Sequence, residues 1–430
     1  MSAPVQTLPR SAIDAKIVSL AIPVAIGFGV ALAGFVQSEP APFDLYMVGL
    51  IGVWALLGLT ISRTIAPLLS LWVLYLVGGM ISMTQMADFG GTPLYLAVTA
   101  FLALTAVFFA AIIEKRHELL RPVLIGWTVA ACLTGMLGIM GYFHAFPGAE
   151  RFTLYDRAAG AFKDPNVFGP FLVTPAVWLL HGLVTGRPLR MPLQVMGVLL
   201  LSFAIFLSFS RGAWGLYAVS AIGLCTVLFV RTFSNRLRLR ILAMALLGIG
   251  LIVLAIAIAL QIPSVAALFE VRAQLVQDYD GARMGRFARF GMGFALAAER
   301  PLGIGPLVFG TIFGEDTHNI WLKALMDYGW TGFAAYVTLI VWTVAGGFRI
   351  LFRERPWQPY LLCAWLVFVG HIMLGTVIDM DHWRHFYLLM GIIWGCMGLE
   401  ARHQRKASRA APDLLRARRN YALALPPSTN

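Results

Sequence analysis

The sequence predicts an all-α polytopic membrane protein with about twelve transmembrane helices. Three observations carry that expectation. Of 430 residues, 59% are hydrophobic and only 13% charged, about half the charged share of a soluble domain. Mean hydropathy is +0.78, more apolar surface than a soluble fold of this length can hide. The apolar residues also run in blocks of about 20 instead of alternating, which selects helices over a β-barrel. The same arithmetic excludes an ordinary soluble enzyme, a disordered chain and a secreted disulfide scaffold.

Twelve blocks follow one another, at 17–37, 43–62, 64–83, 93–113, 122–143, 167–185, 192–209, 212–230, 240–261, 319–348, 358–378 and 384–400. Each is long enough to cross the hydrocarbon core at about 1.5 Å per residue. The first has a basic flank, but it is as long as a span. Gln37-Ser38-Glu39-Pro40 follows it in place of a small-residue cleavage site, so it reads as a retained helix. Cys132, Cys225, Cys363 and Cys396 all fall inside blocks and have neither metal spacing nor an evident pairing. The expected organisation is one integral membrane domain over 1–430, with a large outer loop at 262–318 between spans 9 and 10 and a basic tail at 401–430. No tandem repeat is visible, and no long inner loop divides six spans from six.

Charge sets the expected orientation. With both termini inside, the inner segments hold 22 of the 33 Lys and Arg but 6 of the 21 Asp and Glu. That asymmetry follows the positive-inside rule and places the 401–430 tail in the cytoplasm. The net charge of +12 is dispersed in short segments between apolar blocks, so it argues against nucleic acid as a partner.

The 11 outer cations are not explained by topology. Arg211 stands in the tight turn Ser208-Phe209-Ser210-Arg211-Gly212. It fits either a side chain snorkelling to headgroups or a paired functional cation. Arg283, Arg286 and Arg289 recur every three residues, which on a helix gathers them into a stripe about 120° wide. Such a stripe suits a solvated face, or a phosphate ligand gripped by bidentate guanidinium groups. Pro301-Leu302-Gly303-Ile304-Gly305-Pro306 lacks the Lys-Ser/Thr of a nucleotide loop and reads as a tight, close-packed turn. In Asp316-Thr317-His318-Asn319, Asp316 or Thr317 suits a helix cap, and His318 suits a packing residue, a general base or a phosphate partner. Asp164-Pro165 reads as a helix start, with Asn166 a candidate site residue beside it. Asp379, Asp381, His382 and His385 cluster in the last outer turn, a poor signal for a divalent cation by spacing alone.

Taken together, Ser210-Arg211-Gly212-Ala213-Trp214, Gly285-Arg286 followed by Pro301 to Pro306 and Phe309, and His318-Asn319 followed after nine residues by Gly329-Trp330-Thr331-Gly332 resemble the O-antigen ligase and polymerase superfamily of bacterial envelope glycosyltransferases. Asp164-Pro165-Asn166 is similar to the family's pattern as well. The resemblance covers roughly residues 160–380.

It implies a GT-C-like fold in the bacterial inner membrane, with the active site on the periplasmic face. The implied donor is an undecaprenyl-diphosphate-linked glycan. The implied acceptor is lipid A–core for a ligase, or another carrier-linked glycan for an O-antigen or exopolysaccharide polymerase. Neither a metal nor another cofactor is implied. Position by position, the family's catalytic residues look like His318, Arg211 and Arg286. Arg283, Arg289, Asn319, Asn166 and Asp381 are then expected to bind substrate, and membrane lipid is a further expected partner. Some family members have Leu four residues after the loop arginine, whereas Phe290 follows Arg286 here. A transporter or flippase is the rival from another class, disfavoured by the missing repeat and by span centres that are nearly free of charge.

Overall fold

The computed structural model describes residues 10–186, 188–272 and 285–424. Every apolar block lies on a helix: α1 (Arg10–Leu32), α2 (Pro42–Leu56), α3 (Ala66–Met83), α4 (Thr92–Lys115), α5 (Leu120–Tyr142), α6 (Pro165–Thr185), α7 (Met191–Leu207), α8 (Arg211–Arg231), α9 (Asn235–Ala259), α13 (Ile320–Leu351), α14 (Gln358–Leu374) and α15 (Arg384–Ala424). The 262–318 loop contributes α10 (Pro263–Arg272), α11 (Arg286–Glu299) and α12 (Val308–Phe313).

Among the described residues, eight helices are long and apolar enough to cross a membrane: α3 to α9 and α13. The expectation of twelve full spans is therefore met only in part. The apolar stretch Leu20–Leu32 of α1, α2 and α14 are shorter, and α15 is apolar only in its first turns. In the second block, Gly58 takes φ +83° just past α2, and Leu59 to Ile61 continue as coil.

The core forms where small residues let helices close up. α15 lies along α4 and α13 along α3. A Cβ on Gly391 would meet the Ala106 carbonyl oxygen at 2.8 Å, and one on Gly395 would meet Ile113 at 2.6 Å, the close approach that packs helices in lipid. Trp72, Trp127 and Trp394 fill the interior. α9 stays outside it: Leu242, Leu246, Ile249 and Val253 are exposed, as a lipid-facing helix requires.

Charge pairs clasp both ends of the bundle. At one end Arg384 reaches both carboxylate oxygens of Asp44, at 2.7 and 2.6 Å. At the other, Arg353 and Arg355 grip Glu400 at 2.6 and 2.8 Å, and Arg402 donates to the Glu114 carbonyl oxygen.

Within α13 the backbone breaks at Gly329, with φ +64° and ψ −179°, a conformation essentially reserved for glycine. The helical bond from Trp330 N–H to the Met326 carbonyl is replaced by two others. Trp330 N–H donates to Pro301 O (3.0 Å), and Ile304 N–H donates to Met326 O (2.8 Å). The Pro301–Ile304 strip thus inserts into the helix as a spacer. Gly305 N–H donates to the Ser82 hydroxyl and Thr92 Oγ1 to Pro306 O, fastening the strip to α3 and α4. The tight, close-packed turn expected of this strip is what the structure contains.

One element departs from the all-α expectation. Thr153–Leu154 (β1) and Arg157–Ala158 (β2) pair as a small antiparallel hairpin. Its two turn residues, Tyr155 (φ 50°) and Asp156 (φ 55°), both lie in the left-handed region, as a type I′ turn demands.

Candidate functional site

His318 immediately precedes Asn319, which caps α13. The Asn319 side-chain oxygen accepts from Trp321 N (3.0 Å) and Leu322 N (3.1 Å). The capping expected of Asp316 or Thr317 therefore falls to Asn319. Its extended backbone (φ −144°) aims the side chain at the free amides. This is the role the structure gives Asn319. His318 itself has φ +52°, costly for a residue with a Cβ by about 1–3 kcal/mol. Its ring remains 40% exposed, with Nδ1 3.9 Å from Asp379 Oδ2.

The centre of this end is Lys323, one turn into α13 and only 7% exposed. Its ammonium lies 2.6 Å from Asp316, 3.7 Å from Asp381 and 3.9 Å from Asp379, beside the face of the Tyr95 ring. Asp381 also accepts from the Tyr95 hydroxyl, and its backbone carbonyl from Tyr387. Burial pushes the carboxyls of Asp379 and Asp381 above their ordinary range, with Lys323 pulling Asp379 back and His382 pulling Asp381 back. Burial pushes His382 down, and its Nε2 pairs with the Thr99 hydroxyl at 3.0 Å. Four residues after Lys323, Asp327 is buried with neither carboxylate oxygen hydrogen-bonded.

Lys323 and Asp327 stand within the first eight residues of α13, near its end and not at its centre. Sequence reasoning missed both because they dilute into an apolar block. The available signal was a Lys and an Asp four residues apart at the start of a span. The acidic and imidazole group in the last outer turn also divides. Asp381 turns to Lys323 and Tyr95, and His382 to Thr99, while His385 is buried against His371 with ring centroids 5.2 Å apart. Among the described residues no group of three or more such ligands is arranged to hold a metal ion.

Arg211 opens α8, behind Ser210, whose hydroxyl caps Ala213 N. The preceding Phe209 has φ +45°, so this turn, like His318, holds a non-glycine residue in the left-handed region. Arg157, delivered by the hairpin and 6% exposed, donates to Ser208 O through Nε and to Asn166 Oδ1 through Nη2, both at 2.8 Å. Asn166 is therefore tied to the Arg211 turn. Asp164 caps α6 through Asn166 N, as its Asp-Pro sequence predicts. Sequence reasoning missed Arg157, which lies in a hairpin without a glycine signal.

The turns that carry Arg211 and His318 both pack on the C-terminal end of α14. A Cβ on Gly212 would meet Leu374 at 2.5 Å. Ile320 N–H donates to the Gly375 carbonyl at 2.8 Å.

Arg286 is the first residue of α11, and Arg289 lies on the same helix one turn later. Arg283 lies outside the described residues. Arg289 is buried, with Nη2 2.6 Å from Glu315 Oε2 and Nη1 donating to the Asp316 carbonyl oxygen at 3.0 Å. It pins the strand of chain leading to His318. α11 reaches α13 closely at Gly293, where a Cβ would meet Leu322 at 2.9 Å and Met326 at 3.0 Å.

Residues 196–337 match the family model described as O-Antigen ligase. The match covers about a third of the chain. It runs from α7 into α13, through Arg211, Arg286, His318, Lys323, Gly329 and Gly332. The chain is thus a multi-pass membrane protein carrying an O-antigen ligase domain over these residues, and the family resemblance is borne out there. No curated protein matches the chain.

Proposed function

We propose that this membrane protein, with its O-antigen ligase domain, is a glycosyltransferase that moves a glycan from undecaprenyl diphosphate to lipid A–core at the periplasmic face of the inner membrane, with inversion and without a metal. The observation that supports the reading is that the two turns carrying Arg211 and His318 both pack on the Leu374–Gly375 end of α14.

The chemistry needs two things there. The acceptor oxygen bonds to the anomeric carbon as the bond from that carbon to the diphosphate breaks, and the leaving group departs with the electron pair. The guanidinium groups of Arg211 and Arg286 are assigned to stabilise that growing charge at the edge of the bilayer, where such groups act far more strongly than in water. His318 takes the proton from the acceptor hydroxyl. Arg289, through Glu315 and Asp316, holds the chain before His318, and Asn166 braces the Arg211 turn through Arg157. Asp381 supports the same end through Lys323 and Tyr95.

The test is transfer by purified protein supplied with undecaprenyl-diphosphate glycan and lipid A–core in EDTA. A single-step product on lipid A–core supports the ligase. A ladder of lengthening carrier-linked glycans without lipid A–core makes the protein a polymerase instead. Loss of activity in EDTA that Mg²⁺ restores removes the metal-free reading. His318→Ala, Arg211→Ala and Arg286→Ala are each expected to abolish transfer while leaving a folded protein.

A further inference from the structure

The cluster around Lys323 contains more than the transfer reaction requires. Asp379 comes from the turn after α14, and its Oδ2 lies 3.9 Å from both His318 Nδ1 and Lys323 Nζ. Its other oxygen, Oδ1, is buried and has no hydrogen-bond partner. A buried carboxylate oxygen left in that state is costly. His318 is held in place from the backbone side, between the Asp316–Thr317 turn and the Asn319 cap. Thr317, the residue before it, is fully buried, so the backbone that carries the ring is anchored beside Asp379.

We propose that Asp379 is a positioning residue for His318: it receives the Nδ1–H of the imidazole, so that the unprotonated Nε2 at the opposite edge of the ring is the nitrogen offered to the acceptor hydroxyl. Lys323 keeps Asp379 in place from the other side. At 3.9 Å the contact is an ion-pair approach and not yet a hydrogen bond; such contacts shorten when substrate fills a site. The ring nitrogen that carries the proton is set by what the other nitrogen meets. A carboxylate accepts only, so it selects Nδ1–H. Asn in its place offers a donor and selects the opposite tautomer, which disables a histidine base without moving it.

The catalytic half of this inference rests on the transferase reading, and the structural half does not, so the experiment has two arms. In the first, the full-length protein is labelled with ¹⁵N-histidine in detergent micelles at a pH where the imidazole is neutral. The His318 signals are identified by their loss in His318→Gln. The expected wild-type pattern is protonated Nδ1 and bare Nε2, changing in Asp379→Asn towards protonated Nε2. A wild-type His318 protonated on Nε2 overturns the proposal, even if the variant fails to fold. So does a tautomer unchanged in a folded Asp379→Asn.

In the second arm, Asp379→Asn is expected to lower kcat by about 10²-fold or more, the usual range for a disabled acid–base group, with donor KM changed less than about threefold. Wild-type kcat in that variant removes Asp379 from the mechanism. The expected tautomer in a protein that transfers to no acceptor sinks the transferase reading and supports the hold of Asp379 on His318.

Discussion

Lys323 Nζ lies 2.6 Å from Asp316 Oδ2, and this pair fastens the first turn of α13 to the short segment that presents His318. The same ammonium also faces Asp379 and Asp381. Removing it leaves three carboxylates crowded at a largely buried site. Lys323→Met is therefore expected to cost about 3–5 kcal/mol, the penalty for stripping one partner from a buried ionic group. Thermal unfolding in detergent measures it. Adding Asp381→Asn to Lys323→Met should recover part of the loss, because the two changes share one network. Additive losses would show that Asp381 and Lys323 act independently.

Arg289 is tied to Glu315 and to the Asp316 carbonyl. If its main task is to hold the chain before His318, Arg289→Ala and Glu315→Ala each lower transfer, and the double variant is little worse than Arg289→Ala. The expected coupling is about 0.5–3 kcal/mol in kcat/KM. A Glu315→Ala enzyme with unchanged kcat/KM beside an inactive Arg289→Ala would make Arg289 a phosphate ligand instead.

The glycines of α11 and α13 should divide by environment. A Cβ on Gly329 would meet the Leu302 backbone at 2.7 Å in a conformation closed to other residues. Gly329→Ala should lower stability by more than about 2 kcal/mol. Gly291, on the exposed face of α11, has nothing within 4 Å of a built Cβ. Gly291→Ala should be neutral or stabilising by up to about 1 kcal/mol. Unfolding midpoints of the two variants decide the matter.

Acid should separate activity from stability. Burial raises the Asp379 carboxyl above its ordinary range, and the facing groups are Lys323, Asp316 and His318. As pH falls, Asp379 is protonated earlier than a free carboxylate near pH 4, so the acid limb of kcat should lie above that value. In Lys323→Met, where an opposing cation is gone, the limb should move to higher pH. For stability the sign is reversed. A folded pKa above the unfolded one contributes stability that is full below the unfolded value and is lost as pH rises through the folded value. Profiles of kcat and of unfolding midpoint against pH are the measurements. An acid limb that stays put in Lys323→Met excludes Asp379 as its origin.

The helices were legible because each apolar block is longer than any other structure tolerates. The Asp164 cap, the α11 helix carrying Arg286 and Arg289, and the close-packed 301–306 strip were legible from local residue types. What stayed hidden depends on distant partners. Lys323 and Asp327 vanish in an average taken over an apolar block, and only the pairing of Lys323 with Asp316, Asp379 and Asp381 makes its burial tolerable. Arg157 is presented by a turn of Tyr155 and Asp156 that has no glycine, so Asp156 alone marks its left-handed backbone. Asn319 displaced Asp316 as the cap because Lys323 and Thr317 N already engage the Asp316 side chain.

The spacer in α13 leaves the same two backbone groups with two ways to be satisfied. In the folded protein Met326 O and Trp330 N have their partners in Ile304 and Pro301. Without the strip they can pair with each other as one ordinary helical turn, so an α13 entering lipid alone carries no unanswered group there. Docking of the 301–304 strip exchanges that one bond for two, and the exchange bends the helix at Gly329. The kink is in that sense a property of the docked loop and not of the helix alone.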